Sequence, residues 1–69
     1  EDRLRALFDC TVAESRTAAL LMRGLTPDQI AETESLSIHT VRQYIKSLLS
    51  KNGYRRQTEL VAALVRALG

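Results

Sequence analysis

One cysteine, one histidine, one proline, three aromatic side chains and no tryptophan are all that this 69-residue chain holds of the residue types that most often staple, ligate or kink a fold. Cys10 has no second thiol, so no internal disulfide can form and the core must hold by packing alone. Cys10 and His39 together fall short of the four ligands of a structural zinc site, and no metal or other cofactor is expected. No run approaches the roughly 20 apolar residues of a membrane span, and no leader-like segment opens the chain at Glu1. A cytoplasmic location without membrane contact is therefore expected. No stretch alternates apolar and polar residues at period two, which argues against strands. What remains is rich in Leu and Ala and 45% hydrophobic, the composition of one small all-α domain. A chain this short buries only about 60% of its unfolded surface, so such a domain is marginally stabilised.

Charge of one sign is also locally absent. Residues 1–36 carry four basic against seven acidic side chains, a net −3, whereas residues 37–58 carry Arg42, Lys46, Lys51, Arg55 and Arg56 with no acid, a net +5. A basic patch on a nearly neutral domain points to a polyanionic partner, with a solvated basic face as the plain alternative.

Helix boundaries are legible from start and stop signals. Thr11 with Glu14 fits a capping box, and Gly24 followed by Leu25 fits a left-handed stop, predicting a helix over 12–23. Thr26-Pro27-Asp28-Gln29 supplies a cap, a proline at the first helical position and the closing Gln, predicting a short helix ending near Glu34. Ser37 caps the next helix, expected over Ile38–Asn52 with Gly53 as its stop. The last helix is expected over Gln57–Leu68, where Arg56 at the cap position has no side-chain acceptor and leaves the start weaker by about 1 kcal/mol. Residues 1–9 read as a linker or a helical lead-in, and residues 10–69 as the domain proper.

A short helix, a brief break and a longer helix make a helix-turn-helix, whose second helix can enter a major groove. Projected at 100° per residue, Val41, Ile45, Leu48, Leu49 and Asn52 share one face of the segment 38–52, and His39, Arg42, Gln43, Lys46, Ser47 and Ser50 share the other. No acid lies on that polar face, although a merely solvated helix mixes both signs. Arg and Lys donate to guanine O6 and N7, and Gln pairs with adenine, so Arg42, Gln43 and Lys46 are the expected base readers. Thr40 at the third helical position, with nearby N–H groups, is placed for a phosphate. Lys51, Arg55 and Arg56 can neutralise further phosphates; Tyr44 can send its hydroxyl to phosphate or pack half-buried; His39 and Ser50 border the reading face. The lone His39 beside Thr40 forms no nucleophile–base arrangement in a cleft, so the chain is not expected to be an enzyme.

These residues carry a resemblance. Thr11 with Glu14, Gly24-Leu25-Thr26, Ile30-Ala31, Leu36-Ser37, Thr40-Val41-Arg42, Lys51, Gly53, Arg55-Arg56-Gln57 and Glu59-Leu60-Val61 follow one another without an insertion. Over residues 11–61 the chain resembles the LuxR-type (FixJ/NarL-like) helix-turn-helix output domain of bacterial transcription regulators. That resemblance implies a four-helix domain, base contacts from Arg42, Gln43 and Lys46, phosphate contacts near Thr26, Thr40 and Lys51, and a last helix that pairs two copies. The interface of a homodimer is then expected at Val61, Leu64, Val65 and Leu68, and Leu64→Glu is expected to weaken pairing without unfolding the monomer. The implied partners are double-stranded operator or promoter DNA, RNA polymerase, and an N-terminal sensory or receiver domain missing from these residues. Departures are Glu34 where Leu is usual, Ser35 for a frequent Gly, Pro27 for a polar residue, Tyr44 for a frequent His and Val12-Ala13 for a frequent Pro-Arg. The competing reading is a helical protein-interaction module using the apolar face of residues 57–68.

Overall fold

Three of the helix starts and three of the helix ends are fixed by side chains and turns that the local sequence supplies. The computed structural model describes residues 2–69, which form α1 (Asp2–Leu7), α2 (Val12–Met22), α3 (Pro27–Thr33), α4 (Ile38–Asn52) and α5 (Gln57–Leu68), with no strand among them. At α2 the Thr11 hydroxyl accepts from the Glu14 N–H at 3.1 Å while the Glu14 carboxylate accepts from the Thr11 N–H at 2.8 Å. Thr26 and Gln29 repeat the exchange at α3. At α4 the Ser37 hydroxyl accepts from the Thr40 N–H at 3.1 Å. Each reciprocal pair satisfies backbone donors that a first helical turn leaves open.

The ends of α2, α3 and α4 share one geometry. Leu25 N–H donates to Leu20 O, Leu36 N–H to Ala31 O and Tyr54 N–H to Leu49 O, the six-to-one bond of a Schellman stop. The residue before each donor takes positive φ: Gly24 at 94°, Gly53 at 75° and Ser35 at 55°. Glycine adopts that conformation freely, whereas an L-side chain loses roughly 1–2 kcal/mol there. Ser35 is thus the strained joint between α3 and α4. Ser35→Gly is expected to stabilise the fold by about 0.5–1 kcal/mol once glycine's extra unfolded entropy is subtracted. Thermal melting should then rise by about 3–6 °C; a fall would show that the serine side chain contributes more than its backbone costs.

The structure revises the expected architecture in one place. The described residues form five helices where four were expected, because the lead-in forms α1 and buries Leu4 to 3% exposure against the core. At α5 no side chain caps the first turn, as expected for Arg56; one Glu59 carboxylate oxygen instead accepts from the N–H groups of Arg55 and Arg56, at 3.0 and 2.8 Å. That acid ties down the chain entering the helix and leaves the first turn without a side-chain acceptor.

All five helices feed one core. Ala18 and Leu21 of α2, Ile30 and Ala31 of α3, Val41, Ile45 and Leu48 of α4, and Leu60, Ala63 and Leu64 of α5 are buried with Leu4. Each large member contributes roughly 1.5–3 kcal/mol on leaving water. The α4 helix packs against α2, α3 and α5, so its apolar side is fully used and its polar side is left outward. Leu25 and Leu36, which precede the caps of α3 and α4, also pack on this core and fix the entry angle of each helix. The radius of gyration, 10.7 Å, agrees with the ~11 Å expected of a closed domain of this length.

Burial also corrects the expected pairing face. Leu64 is fully buried beside Leu60, so it belongs to the monomer core and is unavailable to a second copy. Val65, 47% exposed, and the half-buried Val61 and Leu68 keep an outward surface. The apolar stripe of α5 reads as wide in sequence because it serves α1, α2 and α4 together.

Candidate nucleic-acid interface

Fifteen residues of unbroken helix put the polar side of α4 on one straight edge. His39, Arg42, Gln43, Lys46 and Ser50 are exposed along it, and Gln43, Lys46, Ser47, Ser50 and Lys51 line a shallow open depression. The Arg42 guanidinium and the Lys46 ammonium form no ion pair among the described residues. Gln43 is held instead by its own helix: its side-chain nitrogen lies 3.1 Å from Nε2 of His39, one turn earlier. The expected base readers therefore sit together, two as free cations and one as an oriented amide.

The expected phosphate residues are more scattered. Thr26 is exposed at the cap of α3, its hydroxyl oxygen accepting from the Gln29 N–H at 3.2 Å. Thr40 is half-buried, its hydroxyl 2.9 Å from that of Ser37, so the α4 start carries two hydroxyls bonded to each other. Tyr44 turns away from the reading edge: half-buried, it lines a groove with Ala13, Arg16, Glu34 and Leu36 between α2 and the α3–α4 turn. Of the two roles expected for Tyr44, this placement is the packing one.

Lys51 departs furthest from expectation. Its ammonium lies 2.7 Å from the carboxylate of Glu14, the residue that closes the α2 capping box. The Glu14 side chain is only 7% exposed and that of Lys51 34%, so this ion pair fastens α2 to the last turn of α4. Burial by itself pushes the Glu14 carboxyl up, but Lys51, then the Ser47 hydroxyl and the Thr11 backbone N–H, outweigh it and hold the group below its ordinary value. The hydrogen bond to Glu14 raises Lys51 in turn. A carboxyl lowered in the folded state adds stability above the unfolded-state value near 4.5, and loses it as pH falls through the lowered value. Glu14→Gln keeps an acceptor for the Thr11 N–H while removing the charge. Denaturant midpoints taken between about pH 3 and 7 should therefore fall less steeply on the acid side for Glu14→Gln than for the parent. Parallel acid limbs would show that the ion pair carries no linkage.

Two further contacts lay outside sequence reasoning. The Asn52 side chain accepts from the Asp9 N–H at 2.9 Å and donates to the Asp9 carbonyl at 3.0 Å, tying the α1–α2 connection to the end of α4. The Glu14–Lys51 and Asp9–Asn52 pairs span 37 and 43 residues, and no local pattern marks either. Cys10 packs half-buried against the core, as a small apolar group, and burial raises its thiol. No helix among the described residues is long and apolar enough to cross a membrane. Compared with family models, curated proteins and solved structures, the chain finds no match.

Proposed function

We propose that the chain binds double-stranded DNA sequence-specifically, as the output domain of a bacterial transcription regulator, with α4 in the major groove and α3 crossing the backbone. The observation that carries this reading is the outward edge of α4: Arg42 and Lys46 unpaired, Gln43 beside them, and no acid along the helix. Donors of this kind match guanine and adenine edges, and a rigid helix of α4's length reaches several base pairs. The LuxR-type resemblance of residues 11–61 supports the same assignment. A second copy on a two-fold site would pair through the remaining outward apolar side chains of α5, Val61, Val65 and Leu68, rather than through Leu64. The competing protein-interaction reading loses ground from the same burial, since most of the α5 stripe is already covered within the monomer.

Binding sites selected from random duplexes, followed by titration of the selected duplex into labelled protein, test the proposal. Resonances of residues 39–50 are expected to move first. Arg42→Ala and Lys46→Ala are each expected to cost about 1–3 kcal/mol on the selected duplex, with helicity and melting temperature nearly unchanged. Equal losses on every duplex would make them phosphate contacts, and unmoved α4 resonances at low salt would end the reading.

A further inference from the structure

The polar edge of α4 contains one internal side-chain hydrogen bond, His39 to Gln43, and its chemistry is directional. The contact joins Nε2 of the imidazole to the amide nitrogen of Gln43 at 3.1 Å. A primary amide nitrogen can only donate, so His39 Nε2 is the acceptor and the ring proton sits on Nδ1. One N–H of Gln43 is thereby used, and the amide is held against flipping. What Gln43 still has to offer a base is one N–H and the carbonyl oxygen. Adenine presents the complement in the major groove, an N7 acceptor next to an N6 donor, whereas guanine presents two acceptors, N7 and O6. Against guanine the fixed carbonyl would face O6.

We infer that His39 is a positioning residue for Gln43: by accepting one amide hydrogen it fixes the orientation that reads adenine and rejects guanine at a single position of each half-site. The inference rests on the duplex-binding reading and deepens it by naming the base. Both side chains are exposed in the free protein, and their bond strengthens when the docked groove excludes water. Without His39 the amide is free to turn and to offer both its hydrogens, which suits guanine as well.

The test uses the 69-residue chain and duplexes differing only at the position that Gln43→Ala makes indifferent. The parent is expected to prefer adenine there over guanine, and His39→Ala to reduce that preference roughly tenfold. The same variant should keep the helicity and melting temperature of the parent. His39→Gln supplies an acceptor again and should restore the preference. Without any DNA, the long-range proton–nitrogen spectrum of the neutral imidazole should show Nδ1 protonated and Nε2 bare, with the Nε2 shift responding to Gln43→Ala. Full adenine preference in His39→Ala, an equal loss on every sequence, or an Nε2-protonated ring would each overturn the inference while leaving duplex binding standing. A parent that binds no duplex would instead sink the reading beneath it.

Discussion

Leu64→Glu is expected to unfold the isolated chain. Leu64 is fully buried among Leu60, Leu48 and Val41 in the one core that all five helices share. Removing a buried leucine costs about 2–5 kcal/mol, and an unpaired carboxylate in its place adds several more. A chain of this length has only about 3–10 kcal/mol to lose at typical per-residue stability. Far-ultraviolet circular dichroism at 25 °C should show the helices lost, and amide resonances should collapse toward random-coil positions. Val65→Glu, one residue on and 47% exposed, should keep both. If α5 pairs two copies, Val65→Glu should still weaken association, measured as mass in sedimentation on the selected duplex. A folded Leu64→Glu chain would mean that α5 does not close the core.

How far the sequence could be read depends on how far apart the interacting residues lie. The caps of α2, α3 and α4 were legible because each rests on residues three apart, and the stops of α2 and α4 because each is marked by a glycine free to take positive φ. The left-handed stop at Ser35, φ 55°, was signalled only through the resemblance, as a serine where glycine is frequent. The outward edge of α4 followed from helical periodicity, since Val41, Ile45 and Leu48 all face the core. Three things were not legible. Leu4 made α1 part of the fold through contacts with distant helices. Leu64 read as surface because an amphipathic stripe does not say whether it meets its own chain or another. Lys51 read as a phosphate cation because its partner Glu14, 37 residues away, already had a local role in the cap.

That last pairing sets a limit on the salt dependence of DNA binding. Of the five cations between residues 37 and 58, Lys51 is already neutralised by Glu14, leaving Arg42, Lys46, Arg55 and Arg56. Each phosphate neutralised contributes about 0.9 to the slope of log affinity against log salt, so these four cations, were all of them to meet phosphate, give one copy a slope no steeper than about −3.6. Between 50 and 200 mM salt that is a loss of roughly 150-fold for one copy and about 2 × 10⁴-fold for two bound together. Fluorescence anisotropy of a labelled duplex measures the slope directly, and its size reports how many copies sit on the site. Arg55→Met and Arg56→Met should each flatten it by about 0.9 per copy. Removing Glu14 and Lys51 together, as Glu14→Gln with Lys51→Met, should leave it unchanged, because no buried charge is stranded and no free cation is lost. A slope that drops by about one in the double variant would mean that Lys51 leaves Glu14 for the backbone on docking. A slope near zero in the parent would mean that the basic edge of α4 meets no polyanion at all.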